Sequence, residues 1–308
     1  MRCLVFGGGG FLGPHLCRAL LGQGHTVRVF ERPNLRRDVA LSKNPNIEFI
    51  EGDFVNEQDV TNAVPGCDVI FHLISTTVPK SSNDNPVYDI ESNVIGTLHL
   101  LRSAVKNEVR KILFASSGGT VYGVPKEVPI SESHPTDPVC SYAIGKLAVE
   151  KYLYLYHALY GLDYCALRIA NAYGEGQRPF GSQGAVAVFL KKAMNDEVIE
   201  IWGDGKVVRD YIYVGDVIDA FLRAMSYEGE HRLFNVGAGE GRSINELLST
   251  IESLIGRPVC RKYLRGRSFD VPVNVLDIGR ARAALDWEPK ISFCDGLART
   301  LEWFRSHG

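Results

Sequence analysis

Tyr142 and Lys146 carry the most chemistry per residue in this chain, in the stretch Ser141-Tyr142-Ala143-Ile144-Gly145-Lys146. Residues four apart on a helix share a face, so phenol and ammonium would lie together. A lysine ammonium beside a phenol favours the phenolate and lowers its pKa from about 10. Such a tyrosine becomes a general base usable near neutral pH. The spacing alone is common and usually marks a helix surface, so its meaning depends on what surrounds it.

The surroundings begin at the third residue. The apolar run Cys3-Leu4-Val5-Phe6 leads into Gly7-Gly8-Gly9-Gly10-Phe11-Leu12-Gly13, after which Leu16, Ala19 and Leu20 follow at helical spacing. Strand, tight turn and helix in that order suit a dinucleotide. Glycines let the chain turn sharply, let backbone N–H groups approach a pyrophosphate, and let the helix pack close on the strand. The helix N-terminus adds a fixed partial positive charge. A second strand, residues 26–30, ends in Glu31, an acidic residue placed to bond adenosine ribose hydroxyls.

Stepping outward, apolar strand-like runs recur at residues 47–50 (closing in Glu51-Gly52-Asp53), 68–74, 111–115 and 165–169. Helical patterns lie between them, with Val94, Leu98, Leu101 and Val105 on one stripe and a longer pattern over residues 143–160. Alternation of this kind predicts an α/β fold: a Rossmann-type, doubly wound parallel sheet with helices on both faces. Ligands in such sheets bind beyond the carboxyl ends of the strands. The second half is less regular. Residues 174–184 read as a loop and 186–194 as a short helix. Ser243 and Glu246 form a capping box for a helix ending at Gly256, and a last helix spans about residues 296–305. The expected organisation is a dinucleotide-binding unit of residues 1–170 plus about 207–238. A smaller, interleaved C-terminal substrate unit would take about 171–206 and 239–308.

Composition narrows the class. The chain has 308 residues, 45% hydrophobic and 23% charged, which is ordinary for a globular protein. A net charge of -2 and a pI near 6.5 give no electrostatic footprint for nucleic acid. No apolar run is long enough to span a bilayer, and no secretory signal precedes the first strand, so a cytoplasmic location is expected. The seven cysteines are scattered and odd in number, with no Cys-x-x-Cys pair. That pattern argues against disulfides or a metal site and predicts seven small buried hydrophobes.

Taken in order, these motifs resemble the extended short-chain dehydrogenase/reductase family, in its nucleotide-sugar epimerase/dehydratase group. The likeness rests on the glycine loop, Gly52-Asp53, Phe71-His72-Leu73 and Asn93-Val94-Ile95-Gly96-Thr97. It continues through Ser116-Ser117 with Val121-Tyr122-Gly123, Tyr142 with Lys146, and Leu167-Arg168 with Asn171 and Gly174. Arg209-Asp210-Tyr211-Ile212 and Phe234-Asn235-Val236-Gly237 complete it. The likeness is strongest to UDP-glucose/UDP-galactose 4-epimerases. It implies NAD as cofactor, a UDP-sugar as substrate, a homodimer, and by extension a role in supplying polysaccharide synthesis.

The resemblance also implies roles residue by residue. Gly7, Gly10, Phe11, Leu12 and Gly13 would cradle the pyrophosphate. Glu31 and Arg32 would flank the adenosine ribose, the carboxylate favouring NAD over NADP. Asp53 and Phe54 would meet adenine, while Leu73, Ile74, Ser75, Asn93 and Ser116 would line the cofactor. Tyr142 would be the base and Lys146 would orient the nicotinamide ribose. Lys80, Gly118, Asn171, Arg209, Arg267, Asp270 and Asn274 would surround the sugar nucleotide, the guanidinium groups suiting its diphosphate. His72 reads as a strand-end packing residue. One position departs from the pattern: the family's catalytic Ser/Thr is replaced by Gly118, so Ser117 or Thr120, or a water, would supply the hydroxyl. Asn274 falls where related epimerases gate the pocket against a 2-acetamido group, and its amide could bond the acetamido carbonyl. Two rivals stay open: a reductase of an NDP-4-keto-6-deoxyhexose, and a non-catalytic NAD-binding protein.

Overall fold

The structure is a computed structural model that describes residues 1–33, 38–179, 184–266 and 271–307. Its centre is a seven-stranded parallel sheet. In chain order the strands of the described residues are β1 (Arg2–Phe6), β2 (Thr26–Glu31), β3 (Ile47–Glu51), β4 (Val69–His72), β5 (Lys111–Ser117), β6 (Asp163–Ile169), β7 (Asn171–Tyr173), β8 (Ile199–Trp202), β9 (Val208–Tyr213), β10 (Leu233–Val236), β11 (Gly241–Ser243), β12 (Arg261–Leu264) and β13 (Val273–Asn274). The central sheet runs β10-β6-β5-β4-β1-β2-β3, every neighbour pair parallel. The order reverses between β1 and β4, which opens a crevice there.

The continuous apolar strands are explained by burial on both faces. Cys3 and Val5 pack in one core with Val29, Phe71 and Leu113, while Leu4 and Phe6 pack in a second with Phe30, Ile70 and Phe114. Alternate residues of a strand face opposite ways, so each face needs its own apolar set. The helices Leu12–Gly22 and Val214–Ser226 cover the first face, and Gly96–Lys106 and Ser141–Tyr160 cover the second.

The capping signals act as read. Ser243 and Glu246 bond reciprocally at the start of Ile244–Ile255, and Gly256 closes that helix at φ 76°. The last helix is longer than expected, Phe293–His307, because Ser292 accepts from the Asp295 N–H and caps it early. The cysteine expectation holds for Cys3, Cys17, Cys67 and Cys165 only; Cys140 is half-buried, and Cys260 and Cys294 are exposed at element ends. The irregular second half forms two small sheets, β11-β9-β13 with β7 on β9, and β12-β8. Within residues 207–238, β10 joins the central sheet but β9 belongs to a small one. Asp210 ties these pieces together from beneath: its buried carboxylate accepts from the N–H groups of Ala238, Gly239 and Leu276. Among the described residues no helix is long and apolar enough to cross a membrane, and no His, Cys, Asp or Glu cluster could hold a metal.

Candidate active site

The crevice between β1 and β4 is floored by the glycine loop. Gly7 sits at φ 88° and donates to Phe30 O, and Gly10 N–H donates back to Gly7 O at 3.1 Å. A Cβ on Gly13 would lie 2.5 Å from Gly7 O and 2.4 Å from Gly8 O, so only glycine lets the first helix seat on the loop. Phe11 and Leu12 are partly buried against the core and anchor the helix start. Leu73 continues the strand edge through its N–H to Phe6 O, and Ile74 abuts Gly7. Glu31 accepts from the Gly9 N–H at 2.7 Å, beside the loop, and Arg32 points outward, exposed. Asp53 is exposed at the end of β3. Phe54 behaves differently from the expectation: at 2% exposure it packs on Phe6 and His72 inside the core, because the chain turns inward after Asp53. A loop where glycine is obligatory, backed by a carboxylate at the second strand's end, fits a dinucleotide.

Tyr142 and Lys146 stand on one face of Ser141–Tyr160, as the spacing predicts. Their pairing is not the simple phenol–ammonium contact expected. Lys146 Nζ donates to Ala115 O at 2.8 Å and lies 5.6 Å from the Tyr142 ring centre. The side chain that favours the ionised phenol is Ser117, whose Oγ accepts from Thr120 at 2.9 Å. Burial pushes Tyr142 up to about 12, opposed by Ser117, and pushes Lys146 down to about 8, opposed by Asp89 and Glu150. So the apolar surroundings raise the phenol rather than lower it, and further positive charge is needed to make it a base.

The helix carrying this pair starts at Cys140, whose side chain caps nothing. Its first N–H groups are met from another segment: Ser141 donates to Asn83 Oδ1 at 2.9 Å and Tyr142 to Ser82 Oγ at 3.0 Å. These caps were hidden in sequence because Ser82 and Asn83 lie some sixty positions away. Asn93 does not reach outward. Its amide is taken by Thr76, Thr77 and Asp89, which pins the turn after β4 where Ser75 bonds Thr77 O. Ser116 likewise turns away from the crevice and donates to Glu150 Oε1 at 2.5 Å. Glu150 is held by Arg168 at 2.7 and 3.0 Å, a fully buried ion pair behind Lys146. His72 packs and bonds Thr97 Oγ1 at 2.8 Å, as its strand-end position suggests.

The opposite wall comes from β7, β9 and β13. Asn171 donates to Asp210 O and borders the open space above Gly119. Arg209 is braced by Val271 O at 2.6 Å. Lys80 is exposed on the short helix Pro79–Ser82. Arg267 and Asp270 lie outside the described residues. Gly118 is a tight spot rather than an empty slot. Its N–H donates to Ile169 O, and a Cβ there would meet Arg168 O at 2.8 Å and Leu276 Cδ1 at 2.5 Å. Asn274 is not an open gate: it is 1% exposed and its amide donates to Gly118 O at 3.2 Å. Its Oδ1 is buried without a partner among the described residues, so the atom left over is an acceptor, not the donor expected for an acetamido carbonyl.

A Rossmann-type crevice with a Tyr/Lys pair at its mouth defines the class, and the chain belongs to the NAD dependent epimerase/dehydratase family, whose model matches residues 3–237. NAD is accordingly its cofactor. The chain is 39% identical over 311 residues to a UDP-glucose 4-epimerase of Mycolicibacterium smegmatis, covering 99% of each. It superposes at TM-score 0.92 and 36% identity on a crystal structure of UDP-glucose 4-epimerase from Thermotoga maritima with UDP-glucose, covering 99% of both chains. A UDP-N-acetylglucosamine 4-epimerase from Methanobrevibacter ruminantium, in complex with UDP-N-acetylmuramic acid, matches at TM-score 0.94 and 28% identity over 100% of this chain and 99% of that one.

Proposed function

We infer that this protein is an NAD-dependent nucleotide-sugar 4-epimerase acting on UDP-sugars. The observation that carries the reading is the Tyr142/Lys146 pair one helical turn apart, beside a Ser117–Thr120 hydroxyl pair, at the mouth of a dinucleotide crevice. Tyr142 takes the proton from the hexose 4-hydroxyl and later returns it. NAD held in this crevice would supply reversible hydride chemistry with no net redox, while the protein orients the sugar. Ser117, supported by Thr120, bonds the reacting hydroxyl, the task a side chain at residue 118 cannot perform. Lys146 orients the nicotinamide ribose, and its ammonium favours the phenolate. Glu31 disfavours a 2′-phosphate, hence NAD over NADP.

The relatives support both plain hexose and N-acetylhexosamine substrates. UDP-N-acetylglucosamine and UDP-N-acetylgalactosamine are substrates beside UDP-glucose and UDP-galactose in this reading, with Asn274 shaping the wall from beneath Gly118 rather than touching the acetamido group. The test is incubation with UDP-, dTDP- and GDP-sugars without added cofactor, followed by NMR. Interconversion of 4-epimers supports the reading. Activity that consumes NAD(P)H on a 4-keto-6-deoxy sugar replaces it with the reductase, and no turnover of any sugar favours a non-catalytic NAD protein.

The protein also works as a homodimer in this reading. Leu153 is buried and Tyr152 and Tyr156 pack on the core, so those residues serve the monomer. Ile144, Leu155 and Leu159 remain exposed on one stripe of Ser141–Tyr160, with Val87 and Ile95 exposed on the adjoining segment. A two-fold contact would bury that apolar face. A monomeric mass by sedimentation at micromolar concentration would count against it.

A further inference from the structure

We propose that Asp89 is a positioning residue for the catalytic pair: a buried carboxylate, without a cation of its own, that keeps the Lys146 ammonium charged and fixes the helix turn bearing it. The proposal rests on the reaction inferred above.

Asp89 is 1% exposed. One oxygen accepts from the Thr77 hydroxyl and from Asn93 Nδ2 at 3.0 Å, and the other from Ser141 Oγ at 2.7 Å. All three donors are neutral, and among the described residues no Lys, Arg or His pairs with it at ion-pair distance. The three bonds join the turn after β4, the segment leading into Gly96–Lys106, and the first residue of the catalytic helix. Oδ2 would lie 3.8 Å from a Cβ on Gly145, the residue before Lys146. A buried carboxylate is costly unless a positive charge answers it.

The other groups facing Lys146 supply less of that negative charge than Asp89 does. Glu150 is one turn further along the helix, but Arg168 already neutralises it. His72 is held neutral, pushed down to about 3 by burial with Lys146 adding to the effect. Tyr142 is uncharged in the resting pair, raised by burial. Asp89 is the largest influence opposing the burial that drives Lys146 down to about 8, and it also opposes ionisation of Tyr142. Removing the charge therefore lowers the pKa of both groups together: the ammonium is lost more readily and the phenolate forms more readily.

The test uses Asp89→Asn in the full-length protein. Two quantities are followed against pH: NAD affinity of cofactor-depleted protein, by fluorescence titration, and kcat/KM for the sugar. The expected result is that the alkaline limb of both moves down by about one pH unit, the scale of a lost charge partner. NAD affinity then falls roughly tenfold near pH 8.5 and stays within about twofold near pH 6. The acid limb of kcat/KM moves the same way. Ser141→Ala removes a bond to Asp89 but no charge, so its limbs stay in place. If Asp89→Asn lowers Tm and rate equally at every pH with both limbs unmoved, Asp89 is merely structural and the proposal is overturned. Should that variant not be recovered folded, Asp89→Ser, smaller and equally uncharged, reads the same limbs. A wild-type protein that binds NAD but converts no sugar would sink the reaction, while the NAD limb would still decide the role of Asp89.

Discussion

Along the cofactor wall of the cleft, glycines set the shape; along the substrate wall, side chains do. The first wall runs Gly7–Gly13, Glu31, Leu73 and Ile74, all at neighbouring strand ends of one sheet. The second is drawn from β7, β9 and β13, where Asn171, Arg209 and Asn274 each hydrogen-bond a main-chain carbonyl from another segment or a neighbouring residue. A wall of close backbone accepts no added Cβ whatever its chemistry. A wall of side chains tolerates change wherever a neighbour can move, so it is the place where substrate preference is tuned. Tyr142 stands at the seam.

The largest effect is expected at that seam. Tyr142→Phe keeps the ring and loses the proton acceptor, so turnover should fall by about 10²–10⁴-fold or more with NAD still bound. Near-normal rate in this variant would remove the base from the mechanism. On the cofactor wall, Gly13→Ala places a methyl against two carbonyl oxygens. Overpacking of this kind costs about 1–3 kcal/mol, and here it separates loop from helix. Bound NAD should be lost and Tm lowered; full NAD occupancy would show that the wall yields.

Gly118→Ser makes the comparison sharper, because residue 118 belongs to the backbone kind although it sits beside the substrate-side segment at Leu276. Restoring the family's hydroxyl there should not speed the enzyme. The serine meets Arg168 O and should cost about 1–3 kcal/mol in a denaturant melt. A faster enzyme would mean the slot is real. The smallest effects lie with the hydroxyl pair. Ser117→Ala should slow turnover roughly tenfold with NAD retained, and Thr120→Ala, one bond further out, about two- to threefold, as one hydrogen bond is typically worth about 1 kcal/mol. Equal and negligible losses would leave the task to a water.

The same contrast decides how much the sequence discloses. The glycine loop, Glu31 and Tyr142/Lys146 are contiguous or evenly spaced, and each signal is local, so fold and cofactor crevice are legible. Apolar strands buried on both faces read as runs. What was hidden depends on chain segments meeting: Ser82 and Asn83 capping a distant helix, Ser116 turning to Glu150, Phe54 folding inward, Asn274 closing on Gly118 O. No residue-level pattern announces those meetings. The phenol departs from its spacing for a related reason: spacing places Lys146 near Tyr142, but only the fold shows the ammonium engaged by Ala115 O.

Lys146 has one more consequence, in folding stability rather than rate. Its ionisation sits near 8 in the folded chain against about 10.4 when unfolded. The unfolded chain thus binds more protons between those values, and stability rises with pH across that window. Below about pH 8 both states are charged and the native state bears the full cost of a buried ammonium, of order 3 kcal/mol. Over that range this residue least favours its own fold, and Lys146→Met, inactive but uncharged, should melt no lower than wild type at pH 7.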